Sequence, residues 1–297
     1  MTLPDVYLIG APKAGTTSLA RWLSQHPQVY FSVPKEPFYW ASDFPRVRDH
    51  YGFATRGSYE ALFDGPAAAT ATLRAEGSTF YIYSQTAVTD ILSAVERPRF
   101  IVAVRDPVDL LISYHRSQLV ALNEDEVDFE KAWRRSLAGR LPGVEPLDPK
   151  IVDYPRVGAL GQAMVRLLNL VPRKSVHIVP FDLLATQPEI VWAELTRFLA
   201  ISERPSPAFE VFNASNKMYR SSVLRRLTHR PPAVLASTMQ HARQWSRTTS
   251  LPLVARVKSN MWRPETPPTI APEIRAELAD YFRTDKQIVQ QLLAHTR

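Results

Sequence analysis

Residues 7–23 read YLIGAPKAGTTSLARWL, which sets Gly10, Lys13, Gly15, Thr16, Thr17 and Ser18 directly behind an apolar run. A glycine-bounded turn from a strand into a helix aims several backbone N–H groups at one point, and the helix dipole adds positive potential there. The natural guest of such a turn is a phosphate. The spacing approaches that of a nucleotide-triphosphate loop, G-x-x-x-x-G-K-[ST], with one displacement. The lysine lies inside the loop as Lys13, and Thr16 stands where that loop has its lysine. Lys13 then meets a phosphate from another side, with the hydroxyls of Thr16 and Thr17 as further donors and no need for a metal ion. An ordinary strand-to-helix turn with an exposed lysine would have the same short sequence.

Two further stretches carry chemistry. In VAVRDPVDLLISYHRS, Arg105 ends an apolar strand, where an arginine is costly unless it meets an anion, and Ser113 lies two turns into the helix that follows. The plainer alternative pairs Arg105 with Asp106 or Asp109. In VPKEPFYW, Glu36 follows a short strand and precedes Pro37, Phe38, Tyr39 and Trp40. It reads as a general base or as a surface glutamate paired with Lys35.

The elements that must position these residues are strands alternating with helices. DVYLIG is a buried strand feeding the helix TTSLARWLSQHP, whose Leu19, Trp22 and Leu23 fall at helical spacing. Phe100 to Val104 form a second buried strand, with Asp106 as a cap and Pro107 in the first turn of its helix. SVHIVPFDLL supplies another strand, followed by a helix from about Gln187 to Leu199 with Ile190, Leu195, Phe198 and Leu199 on one side. VGALGQAMVRLLNLVP reads as one amphipathic helix. Residues 40–75 and 139–156 read as loops or insertions over the site. The alternation predicts an α/β fold, a central parallel sheet flanked by helices, with ligands at the carboxyl ends of the strands. One domain over 1–297 is expected, with an α/β core over 1–202 and a helical C-terminal part over 203–297. The latter ends in a packed seam of Ile274, Leu278, Tyr281, Phe282, Ile288 and Leu292.

The 297 residues suffice for a full core, and no stretch has the length and apolarity of a membrane helix or the pattern of a signal peptide. The absence of cysteine excludes disulfides, thiolate zinc sites and a cysteine nucleophile, and fits a cytoplasmic protein. No His/Asp/Glu cluster has metal-ligand spacing. The net charge of +7 is uneven: residues 217–263 hold ten Lys or Arg and no Asp or Glu, leaving the rest at about −3. That segment reads as a solvated helical face, a surface for an anionic membrane, or a sequence-blind nucleic-acid contact.

The two loops in this order resemble those of the sulfotransferases, whose donor is 3′-phosphoadenosine 5′-phosphosulfate (PAPS). PKAGTT looks like the family's 5′-phosphosulfate loop, and R-x-P…S at this spacing looks like its 3′-phosphate site. By position, the resemblance implies that Lys13, Ala14, Gly15, Thr16, Thr17 and Ser18 hold the phosphosulfate. Lys13 would stabilise charge on the leaving phosphate, and Arg105 and Ser113 would hold the 3′-phosphate. Glu76, Ser78 and Tyr81 match its E-x-S-P-x-Y segment, with Thr79-Phe80 departing from it, and residues 176–201 are similar to its later strand and helix. The match is closer to bacterial and glycan-type members, whose KEP-x-F glutamate implies Glu36 as the base, with His115 and His50 in reserve. The glycine-rich R-K-G segment of the cytosolic members is missing. FNASNKMYRSS takes its place, which makes Lys217 and Arg220 weaker phosphate ligands. The implied reaction is sulfuryl transfer from PAPS to a hydroxyl or amine of a glycan, lipid or natural product, releasing adenosine 3′,5′-bisphosphate (PAP), with no metal. Two other readings stay open: a small-molecule kinase, which would need a lysine at position 16, and a basic nucleic-acid- or membrane-binding module.

Overall fold

The computed structural model describes residues 3–209, 217–219, 221, 225, 226, 229, 262–264 and 270–294. In chain order the elements begin with β1 (Val6–Gly10), α1 (Thr16–Ser24), β2 (Val29–Phe31), α2 (Pro45–Tyr51), α3 (Arg56–Glu60) and α4 (Pro66–Thr70). Next come β3 (Leu73–Glu76), α5 (Ala87–Ala94), β4 (Arg99–Val104), α6 (Pro107–Ala121), α7 (Phe129–Leu137), α8 (Tyr154–Gly158) and α9 (Leu160–Leu170). Then follow β5 (Val176–Pro180), α10 (Phe181–Thr186), α11 (Pro188–Leu199), β6 (Lys217–Tyr219), β7 (Trp262–Pro264), α12 (Pro272–Tyr281) and α13 (Arg283–Ala294). They form two compact units, one of Met1–Asp106, Ala159–Phe212 and Arg283–Arg297, the other of Pro107–Gly158 and Asn213–Phe282.

The first unit is an α/β layer built on a five-stranded sheet of order β2-β3-β1-β4-β5. Every strand pair is parallel. A parallel sheet covered on both faces needs apolar residues at consecutive positions rather than alternate ones. That is why VYLIG and FIVAV are buried throughout. β3 falls within the stretch 40–75 expected to be loop, and it lies between β2 and β1, with Ala75 opposite Val6 and Glu76 opposite Tyr7.

Helix ends and faces follow local chemistry. The expected single helix over 157–172 is divided at Ala159, and the start of α9 is capped from another helix. The Asp285 carboxylate accepts the N–H of Gly161 at 2.7 Å and of Gln162 at 2.9 Å. On α11 the buried stripe is Val191, Trp192, Leu195, Thr196 and Leu199. Ile190, expected inside, is 47% exposed, because Trp192 sets the stripe one position along. The C-terminal seam is likewise two helices. Ile274, Leu278 and Phe282 are buried and Tyr281 is exposed.

The second unit packs α6 with α8 and α12. Glu124 is buried at its centre, where it accepts from Arg135 at 2.5 Å and from the Tyr154 hydroxyl at 2.8 Å. Its β6 and β7 pair antiparallel. Most of the basic segment 217–263, including Arg220, lies outside the described residues. No helix among the described residues is long and apolar enough to cross a membrane.

Candidate active site

β1 ends at Gly10, where a Cβ would lie 2.6 Å from Ile82 Cγ2 and 3.0 Å from the Thr79 carbonyl oxygen. The turn closes at Gly15, which has φ of +89° and no room for a side chain: a Cβ would meet Leu184 Cδ2 at 2.2 Å. Only glycine meets both demands. Between them Lys13 also holds a left-handed backbone, with φ of 64°. A residue other than glycine keeps such a conformation only where its surroundings fix it. Here the Lys13 carbonyl accepts from Arg105 Nη1 at 2.9 Å. Behind the turn, the Ala11 N–H donates to the Ala103 carbonyl at 2.8 Å, tying the loop to β4. α1 starts with no side-chain cap and no acid in its first turn, so the positive end of its dipole is left for an external anion. Lys13 is half-buried, Thr16 and Ser18 are buried, and Thr17 is exposed.

Arg105 is thus joined to the Gly10–Gly15 loop, and its guanidinium also lies over the Phe181 ring, 4.3 Å from the centroid. That stacking fixes the plane in which the arginine presents its fork of N–H donors. Of the acids near it in sequence, Asp106 pairs with Lys286 at 2.8 Å, and in the second unit Asp109 pairs with Arg275. Ser113, in that second unit, is 6% exposed, and its buried Oγ has no hydrogen-bond partner among the described residues. An unsatisfied buried hydroxyl costs free energy.

Glu36 is brought to the Gly10–Gly15 loop by the segment after β2. Lys35 Nζ donates to Glu36 Oε1 at 2.8 Å and to Thr16 Oγ1 at 3.3 Å. Thr79 Oγ1 donates to the same Glu36 oxygen at 3.4 Å. The plain Lys35–Glu36 pair is therefore present, and it forms part of the loop rather than of a remote surface. The aromatic run behind Glu36 is its anchor: Phe38, Trp40 and Phe44 are core, and Tyr39 and Tyr51 are half-buried. The Phe38 N–H donates to Ser78 Oγ at 3.0 Å, the Trp40 N–H to the Tyr81 hydroxyl at 3.1 Å, and Trp40 Nε1 to the Tyr59 hydroxyl at 2.9 Å. Tyr39 stacks on Tyr59 at 4.3 Å.

Beneath that anchor lies Glu76, with 0% exposure. Burial pushes its carboxyl up from 4.5 to about 8, although the hydroxyls of Tyr81, Tyr59 and Ser78 pull the other way. None of the three sits on either carboxyl oxygen in full hydrogen-bond geometry, so the group is only loosely solvated by its neighbours. The motif match at Glu76, Ser78 and Tyr81 thus corresponds to one buried cluster under the segment that carries Glu36.

The histidines take other places. His115 is 2% exposed in the second unit, with Nε2 2.8 Å from the Glu126 carbonyl and its pKa lowered by burial. His26, just past the end of α1, is buried; its Nδ1 accepts the Gln28 N–H at 3.2 Å. His50 packs half-buried against Tyr51. Lys217 belongs to β6, and Arg220 lies outside the described residues. From the sequence, Lys35 is only a competitor for Glu36, and Thr79 has no role. The adjacency of Lys35 and Glu36 is visible there, but their link to Thr16 depends on β2 lying two strands from β1. No group of three or more His, Asp or Glu among the described residues is placed to hold a metal ion.

Known proteins share both the sequence pattern and the fold. Residues 3–274 match the sulfotransferase domain family. Human carbohydrate sulfotransferase 15 is 44% identical over 63 residues, which is 21% of this chain and 11% of that protein, so the chain matches only a small part of this relative's length. Among solved structures, a sulfotransferase from Alicyclobacillus acidocaldarius shares the fold with a TM-score of 0.62 at 22% identity, over 86% of this chain and 100% of that one. A mouse sulfotransferase complexed with PAP shares it with a TM-score of 0.52 at 12% identity, over 99% and 90%. With a parallel sheet, a glycine-bounded strand-to-helix turn and a family match across most of its length, the chain belongs to the sulfotransferase domain family.

Proposed function

We propose that this protein transfers a sulfuryl group from PAPS to a hydroxyl or amine of a carbohydrate acceptor, with Glu36 as the base. The observation that carries the reading is the chain of contacts Thr16–Lys35–Glu36, which connects a carboxylate with an anion-binding loop. The residues fit an anionic nucleotide. Lys13, the uncapped start of α1 and the Thr16, Thr17 and Ser18 hydroxyls supply cation and donors for the 5′-phosphosulfate. Arg105, stacked and bonded to the loop, offers a guanidinium to the 3′-phosphate. Ser113 as a second ligand of that phosphate rests on the sequence pattern. When bound, PAPS supplies the sulfuryl group and a phosphate leaving group.

The chain's own part is to hold the loop rigid, place the Lys13 ammonium where negative charge grows, and take the acceptor proton on Glu36. The carbohydrate class follows from the name of the human relative and from the KEP stretch around Glu36, which has Tyr39 where the glycan-type KEP-x-F pattern has phenylalanine. A kinase would need a lysine in the place of Thr16, which is what speaks against that alternative. Transfer of labelled sulfate from PAPS to a panel of unsulfated glycosaminoglycans tests the proposal. Labelled product at an enzyme-dependent rate is expected, and its absence across the panel, with phosphate transferred from ATP instead, would overturn it.

A further inference from the structure

Three features around Glu36 go beyond what a base requires. A carboxylate beside an anion-binding loop should repel the anion that loop binds. Thr16 occupies the position at which a nucleotide-triphosphate loop has its own lysine, so the loop lacks a cation there. An ammonium nevertheless reaches that position from a neighbouring loop, since Lys35 Nζ is 3.3 Å from Thr16 Oγ1 and 2.8 Å from Glu36 Oε1. The Lys35 and Glu36 side chains are 22% and 28% exposed, so the pair is partly shielded from water and its charges are felt at the loop. Both contacts to Glu36, from Lys35 and from Thr79, fall on Oε1 and leave Oε2 for a proton.

We propose that Lys35 is the counter-charge that allows the base and the anionic donor to occupy one site. Its ammonium cancels the charge of Glu36 on the side facing the loop, and orients the carboxylate so that its other oxygen meets the acceptor. Lys35 is on this account a positioning residue that acts through Glu36. The inference rests on the donor reading above and adds to it a condition for binding. The adjacent backbone supports the arrangement: the Lys35 carbonyl accepts the Gly77 N–H at 3.1 Å, which fixes the segment against the end of β3.

The test needs no knowledge of the acceptor. PAP is titrated calorimetrically into the wild type, Lys35→Met, Glu36→Gln and the double variant. Removing the ammonium alone exposes the donor to an uncompensated carboxylate and should weaken PAP binding roughly tenfold. Glu36→Gln should bind at least as well as wild type, and in the double variant affinity should return to within about threefold of it, because the charge to be cancelled is gone. Lys35→Arg should keep wild-type affinity. A purely structural lysine, or one that binds the donor directly, would not be rescued by Glu36→Gln. A double variant as weak as Lys35→Met therefore overturns the proposal, as does wild-type affinity in Lys35→Met. Failure of the wild type itself to bind PAP would instead refute the donor reading, and this inference with it.

Discussion

Glu36 and Glu76 lie in one unit and differ in almost every physical respect. Glu36 is part-exposed, has an ammonium at 2.8 Å and takes its contacts from Lys35 and Thr79 on one oxygen. Glu76 is wholly buried, has no basic side chain among the groups acting on it, and is pushed up to about 8. Water and a cation both reach the first. Their absence makes the second a neutral wedge over much of the physiological range, placed under Tyr59 and Tyr81, whose hydroxyls accept from Trp40. The contrast shows how one side-chain type meets two electrostatic environments through its neighbours alone.

The largest effect expected from this contrast is on catalysis. Glu36→Gln should lower the rate of sulfuryl transfer by about 10²–10⁴-fold, the usual worth of a general base. PAP affinity and the thermal midpoint should stay near wild type, since the side chain is part-exposed. Transfer kinetics alongside a melting curve check this, and a lowered midpoint with normal turnover would reverse the roles assigned to the two carboxyls.

Glu76→Gln should do the opposite, leaving turnover within a few-fold and changing how stability depends on pH. Below about pH 4.5 the wild-type carboxyl is protonated folded or unfolded. Between about 4.5 and 8 the unfolded chain gives up a proton that the folded chain keeps, so wild-type stability falls as pH rises. Glutamine removes that dependence. From pH 5 to pH 8 the wild type should lose roughly 3–4 kcal/mol relative to Glu76→Gln, read from urea midpoints. Parallel pH curves for the two proteins would show that Glu76 is not held neutral.

Much of this is legible in the sequence where a residue type has a single physical use. The run VYLIG ending at Gly10 and the apolar run before Arg105 announce a parallel sheet, and Gly15 a tight turn from strand to helix, because consecutive apolar residues and glycine-bounded turns serve few purposes besides these. LRAE does not announce β3, since four residues with two charges give neither an apolar run nor a clean alternation. The site is only half visible for a similar reason. Lys35 next to Glu36 looks like a surface pair, and its contact with Thr16 arises from long-range strand order, to which local pattern is blind. The displacement of Ile190 by Trp192 likewise reflects tertiary packing choosing between two helix faces of similar apolarity.

On the proposed reading, the loop around Lys13 and the arginine bonded to it bind a nucleotide with a 3′-phosphate. The most direct test is calorimetric titration of wild type and Arg105→Ala with PAP, beside ATP and Mg²⁺. Binding of PAP by the wild type, its loss in Arg105→Ala with an unchanged thermal midpoint, and no measurable heat from ATP are the predicted results. Preference for ATP, or PAP binding that survives the loss of Arg105, would contradict the account.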